Sequence, residues 1–576
     1  MAAVSYADNI SADKAASLAK SFFGISGTRA ANGVTLVWDG ETAGTRVTAT
    51  PSFYVFNRDG GGWVIIGGED AGVPVLGYSE TGSFTAENMP GNVSNWFEGY
   101  RRQVAYLRYH SIGQDAGVAA MWNESRIGGS LRKASEKTLG TKRWGQDEPF
   151  NNKCPMVDGQ QSVTGCVCTA LCEIMRYHQW PAKGHGTLPG YKYVTDKKTT
   201  RTQSGHELTA TYDWSNMPNS YQSYNSTQAN NVSQLMFDVA VMLQSQFNGT
   251  DYVSTFGTAA YGQDVIPAIV KYMDYDSSAT FCYRDNYSTT RWAEMMRQEI
   301  DAGRPMLYGG GDADGAGHEF VVDGYKADNM FYINWGWDGM DNGFYAITDF
   351  RIDRDYDFRY DQDCIIGIQK NKGGHRVPVI TMFNDSGRAG LSLYGGTVAR
   401  DKDFTMSTGK IYNFGSFTFD ADIAFALTDC EGNIREIIST PERKTFDIYD
   451  GKGVSANLPC RISLEPAFGD CVALFFRTDG DWVRLPLDGS CTGIDEYAVF
   501  DMPAIRVNAN ATYSTEDIIP LKVINVRTAP SSVRWYVDGK AYDDTEVMLA
   551  AGKHVIKCVA TISGRTETIV QVINVK

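Results

Sequence analysis

Residues 164–181 read TGCVCTALCEIMRYHQWP, and the interpretation of the whole chain turns on them. Val167, Thr169, Ala170, Leu171, Ile174 and Met175 put apolar or small side chains on nearly every side of three helical turns. That pattern predicts a helix buried in a core rather than one lying on a surface. Pro181 stops it. At the other end Thr164 is the expected N-cap, and Gly165 lets another backbone or a substrate come close. Cys166 then falls in the first turn, where unpaired N–H groups and the positive end of the macrodipole favour a thiolate and a neighbouring imidazolium lowers its pKa further.

A cysteine so placed needs a histidine. Of the seven in the chain, His318 stands out because it follows the glycine-rich run 309–317 and opens the strand-like run His318, Glu319, Phe320, Val321, Val322. Its position 152 residues after Cys166 is close to the separation in enzymes whose nucleophile and base come from two facing subdomains. Cys168 and Cys172 lie deeper in the helix on other faces and read as packing. No C-x-x-C pair occurs among Cys154, Cys166, Cys168 and Cys172, so zinc is not expected, nor any other metal or cofactor. The glycine run lacks the Lys-Ser/Thr ending of a phosphate loop and reads as a loop beside the site. His178 is expected to cap the end of its own helix.

At 576 residues the chain is too long for one core. Hydrophobic content of 43% and charge of 21% are those of an ordinary globular protein. A net charge of −15 argues against nucleic acid or an anionic membrane surface as partner, and no apolar stretch is long enough to span a membrane. The first residues lack the apolar core of a signal peptide. Eleven cysteines is an odd number, so at least one is outside any intramolecular disulfide.

In chain order, a helix is expected at 10–25, then a hairpin of strands 52–57 and 62–67, then a helix over 93–110 carried by Trp96, Tyr100, Val104 and Leu107. Residues 112–142 are polar and weakly periodic, and read as a cleavable junction closing a first domain, 1–142. Residues 143–370 give helices around 228–246, 258–273 and 290–303, then strands near 305–308, 318–325, 330–335 and 343–347, an α+β domain. From 371 the texture is all-β: a sandwich over 371–511 and a smaller immunoglobulin-like unit over 512–576, with Trp535 and Cys558 in its core.

Three motifs together carry a resemblance. Gly165-Cys166-Val167 with Tyr177 to Pro181, Gly317 to Gly324 around His318, and Asn334-Trp335-Gly336-Trp337 resemble the streptopain family of secreted bacterial cysteine peptidases, relatives of papain in fold. Tyr54 to Asn57, Gly62 to Gly68 and Leu76 to Ser79 resemble that family's propeptide. The resemblance covers about residues 10–370. It implies a papain-like, two-subdomain peptidase behind a propeptide, here followed by two all-β domains.

The resemblance also implies roles. Cys166 matches the nucleophile and His318 the general base, which later protonates the leaving amine. Gln146 matches the glutamine whose amide, with the Cys166 N–H, holds the oxyanion. Asn334 would orient the imidazole, and Trp335 and Trp337 would shield that contact from water. Asn57, expected in the hairpin loop, would reach into the site and displace His318. The implied activity is that of a secreted, cell-surface or periplasmic endopeptidase on extended protein or peptide substrates, with an apolar side chain two positions before the scissile bond. Its own propeptide would inhibit it until cut, autocatalytically, within 112–142. Two other readings stay open: a surface binding or adhesion protein whose β domains dock glycans or cell-surface proteins, and a thiol acyltransferase delivering the acyl group to an amine.

Overall fold

The structure is a computed structural model that describes residues 9–25, 33–40, 50–87, 89, 91–109, 116–122, 127, 136–195, 197–248, 257–284, 287, 289–311, 317–326, 329–346, 362–375, 378–384, 389–415, 417–447, 453–488, 491–506 and 512–576. It divides into two compact units, Met1–Arg284 with Met295–His375, and Asp285–Glu294 with Arg376–Lys576. Most of the expected junction, and residues 312–316 of the glycine run, lie outside the described residues.

In the first unit the N-terminal helix Ala12–Phe23 is capped by the Ser11 side chain, which accepts from the Lys14 N–H, and Gly24 ends it at φ 67°. Its apolar face, Leu18, Ala19, Phe22 and Phe23, lies on a meander of strands Val34–Trp38, Phe53–Arg58, Trp63–Gly67 and Val75–Ser79. The helix Gly91–Tyr109 follows. This first domain does not close its own core. Met330, Phe344 and Ala346, from strands more than 200 residues further on, complete it.

The join is made by main chain. Val75–Ser79 pairs antiparallel with Gly343–Ala346, setting Tyr78 opposite Phe344 and Gly77 opposite Tyr345. The sheet continues through Met330–Asn334, Gly317–Lys326, Met306–Gly311, Asp363–Ile366 and Thr280–Tyr283, so eleven strands from two domains form one sheet. Gly77 is needed at the join, because a Cβ there would stand 2.9 Å from the Tyr345 ring.

The expected boundary at 143 is too late. Glu136–Thr138 is a strand on the Gly317–Lys326 edge, Leu139 N–H donates to Asp323 O at 2.8 Å, and Thr141 N–H donates to the Asp323 carboxylate at 2.6 Å. Upstream, Trp122 Nε1 donates to Gly72 O at 2.8 Å and Ile127 is buried in the first domain's core. The first domain therefore reaches residue 127 and the second begins by 136.

The second domain's helical half holds Cys166–His178, Ser226–Met242 and Val265–Tyr272 around one core. Asn225 and Gln228 form a capping box at the start of the Ser226–Met242 helix. No helix among the described residues is long and apolar enough to cross a membrane.

The second unit is all-β. A three-stranded sheet (Leu391–Gly396, Asp403–Thr408, Asn457–Arg461) faces a six-stranded one built on Phe419–Thr428 and Cys471–Arg477. Phe404, Met406 and Leu458 from the first meet Ile423, Phe425 and Leu474 from the second, which makes a sandwich. A second core begins at Ile505 rather than 512 and includes Trp535 and Cys558, which lie opposite each other on neighbouring strands.

Candidate active site

The Cys166–His178 helix starts from Gly165 at φ 88°, not from a side-chain cap. The expected cap, Thr164, instead has its hydroxyl 2.8 Å from that of Thr169. Gly165 has two reasons to be glycine. Its φ lies in the left-handed region, and a Cβ would stand 2.5 Å from Thr258 O. The helix is buried almost all round, as its composition requires, and packs on the strand that carries His318. Its far end also differs from expectation. His178 does not cap it as a cation: Nδ1 lies 3.3 Å from the Tyr275 hydroxyl, and burial, with Lys370 and Lys372 nearby, pulls its pKa down to about 4.

Cys166 is partly exposed, and burial of the sulfur pushes its thiol up to about 11. The Glu319 main-chain N–H works against this, as do those of Val167 and Cys166, while the Glu319 carboxyl adds to the rise. Glu319 directly follows His318, so the amide at the sulfur ties the histidine strand to the nucleophile. His318 is half-buried and faces Gly310 across the strand pair.

Gln146 is 4% exposed, its main-chain carbonyl accepting from Thr164 N–H at 3.2 Å just ahead of the helix. No group among the described residues hydrogen-bonds its side-chain amide. The segment carrying it is fixed by Glu173, a helix residue that sequence reasoning missed: Oε1 accepts from the Trp144 N–H at 3.0 Å. The loop after Asn334 is fixed to the same segment by the Asp338 N–H, which donates to Trp144 O at 2.9 Å.

Two expected roles are corrected. Asn334 does not hydrogen-bond the imidazole. Its Nδ2 donates to Thr141 Oγ1 and Lys142 O, and its Oδ1 accepts from Gly336 N–H and Asn342 Nδ2. An amide with both ends engaged locks the 141–142 segment to the tryptophan loop and has no capacity left for His318. Asn57 lies in a strand, not a hairpin loop, and both ends of its amide are held by the Phe84 main chain at 2.8 and 2.9 Å, so it is a clamp within the first domain.

Trp335 is buried, with Nε1 donating to Asp341 O at 3.2 Å and its ring against Phe320, two residues after His318, at 4.7 Å. Trp96 of the first domain meets both rings, each at 5.9 Å. Trp337 is half-buried one turn further along the loop. The first domain's main chain also reaches this loop, with the Thr85 N–H at the Asp341 carboxyl.

The Peptidase C10 family matches residues 144–345, and the Spi protease inhibitor family matches residues 7–104. The thiol protease/hemagglutinin PrtT of Porphyromonas gingivalis is 28% identical over 451 residues, 75% of this chain and 49% of that protein. The chain thus spans about half the length of that relative. Streptopain of Streptococcus pyogenes is 29% identical over 315 residues, covering 51% of this chain and 74% of streptopain. A prointerpain A fragment of Prevotella intermedia is 26% identical over 59% of this chain and 99% of its own, with a TM-score of 0.46. The chain thus carries a cysteine peptidase domain of the C10 type at residues 144–345 behind an inhibitor domain of the Spi type at residues 7–104.

Proposed function

We propose that this protein is a secreted cysteine endopeptidase held latent by its own first domain. The observation that supports this most is the placing of the Cys166 sulfur at the start of a buried helix, with the main-chain N–H of the residue after His318 directed at it and Gln146 bonded through its main chain to Thr164, two residues before the nucleophile. In the reaction, His318 takes the thiol proton and the thiolate attacks the peptide carbonyl. The oxyanion is held by the Cys166 N–H and the Gln146 amide. His318 then protonates the leaving amine, and water attacks the thioester with His318 again as base.

Latency follows from the sheet. The first domain shares both strands and core with the peptidase, so it cannot leave without breaking the Val75–Ser79 pairing. Cutting the junction is the step that lets it go. The two all-β domains, the second read as immunoglobulin-like, are then left as binding modules for a glycan or protein at a cell surface; the word hemagglutinin in the name of the P. gingivalis relative favours that assignment.

The test compares the wild-type chain with Cys166→Ala in reductant, following self-trimming and cleavage of denatured casein. The wild type trims itself and digests casein while the variant stays whole. Trimming by the variant at the wild-type rate sinks the proposal. So does failure of the wild type to cleave casein after added protease has removed the first domain.

A further inference from the structure

Glu319, Gly309 and Asp363 stand in one row across three neighbouring strands. Gly309 has no side chain, and the two carboxyls close over it from either side. A Cβ on Gly309 would lie 2.6 Å from Asp363 Oδ1 and 2.9 Å from Glu319 Oε1. A second glycine borders the same place, since a Cβ on Gly262 would lie 2.5 Å from Glu319 Oε1. The next row on this face, Val321, Leu307 and Ile365, is the apolar core beneath the nucleophile helix. The acids therefore sit at the end of that core nearest Cys166, and the Glu319 carboxyl acts electrostatically on its thiol.

A row of acids alone would be unremarkable on a surface, but Glu319 is only 8% exposed and its Oε2 has no hydrogen-bond partner. A buried carboxylate oxygen without a donor is a cost the fold does not otherwise offset. Burial and the adjacent Asp363 hold the Glu319 carboxyl well above the usual carboxylate range. Among the described residues no group of three His, Cys, Asp or Glu side chains is placed to hold a metal. What Glu319 Oε2 lacks is a donor, and the site beside it acts on polypeptide.

We infer that Glu319 and Asp363 form an acidic subsite beside Cys166 that receives a lysine or arginine side chain close to the scissile bond. The ammonium or guanidinium donates to Oε2, and its charge favours the ionised carboxylate. This differs from the apolar preference that the family resemblance implies. It rests on the peptidase reading above.

The experiment uses the self-trimmed protein and fluorogenic peptides carrying Arg, Lys, Leu or Glu in turn at each of the three positions before the cleaved bond. At one position the wild type cleaves the Arg or Lys peptide with kcat/KM about tenfold or more above the Leu peptide. In Glu319→Gln that ratio falls to about one, mainly through KM for the basic peptide. Asp363→Asn lowers the same ratio and serves if Glu319→Gln does not fold. A preference for Leu at all three positions overturns the inference, as does an equal loss on every peptide in both variants, which assigns the pair to structure alone. If the wild type cleaves casein but shows no basic preference, only the subsite falls. If it cleaves neither casein nor any peptide, the peptidase reading falls and takes the subsite with it.

Discussion

Trp96 of the inhibitory domain stands edge-on to Trp335 of the peptidase, the ring centroids 5.9 Å apart and the planes at 68°. The same indole also meets Phe320 and Tyr345, so one side chain of the first domain touches the strand that carries His318 and the strand that follows the tryptophan loop. Trp96→Ala is expected to remove about 3–5 kcal/mol of this packing. Measured in the Cys166→Ala background, the melting temperature of the uncut chain drops. In the active background self-trimming speeds up, while the trimmed enzyme, which no longer contains residue 96, has unchanged kcat/KM.

The activating cut falls within 128–135. Ile127 is fixed in the inhibitory core and Glu136 already belongs to the peptidase sheet, so only the residues between them separate the two without unravelling either. N-terminal sequencing of the trimmed product checks this. A first residue before 128 or after 136 would contradict it.

Asp341 connects latency to pH. Burial raises its carboxyl to about 7, and the Thr85 N–H offsets this only in part. A carboxyl whose pKa is raised on folding contributes its stability below the unfolded value, near 3.9, and loses it as pH climbs to about 7. The uncut chain should therefore lose on the order of 4 kcal/mol between about pH 4 and pH 7. Asp341→Asn flattens that dependence and melts higher at pH 7.5, by about 5 °C. Melts of the Cys166→Ala chain across this range decide the matter, and an unchanged slope in the Asn variant rules it out.

Gln146→Ala is expected to lower kcat of the trimmed enzyme by about 10²–10³ with little change in KM, the pattern for a donor used only in the transition state. A large rise in KM with kcat intact would make Gln146 a substrate-binding residue instead.

Periodicity and turn chemistry made much of the fold legible. The buried helix at Cys166, the hairpin at Arg58 to Gly62 and the helix through Trp96 carry their patterns locally, and all three form where expected. The strand at 136–138 did not announce itself, because Glu-Lys-Thr is polar and three residues long and owes its conformation to the edge of a sheet nearly 190 residues away. Asn57 and Asn334 were misread for a related reason. An amide's role depends on which main-chain groups are brought to it, and Phe84 and Lys142 are distant in sequence from the residues that hold them. Glu319 and Asp363 meet only through strand register across Gly309, which no spacing along the chain discloses.

Removing the inhibitory domain does more than free a thiol. The strand Gly343–Ala346 gives up its neighbour and becomes the rim of the remaining sheet, with main-chain donors and acceptors turned to water and the Phe344 and Tyr345 rings newly wet. A bare rim of this kind is a template for another extended chain. Maturation thus gives the enzyme an adhesive seam that its precursor lacks, able to zip onto a second copy or a stretched substrate segment, and the mature form should be the more prone of the two to self-associate.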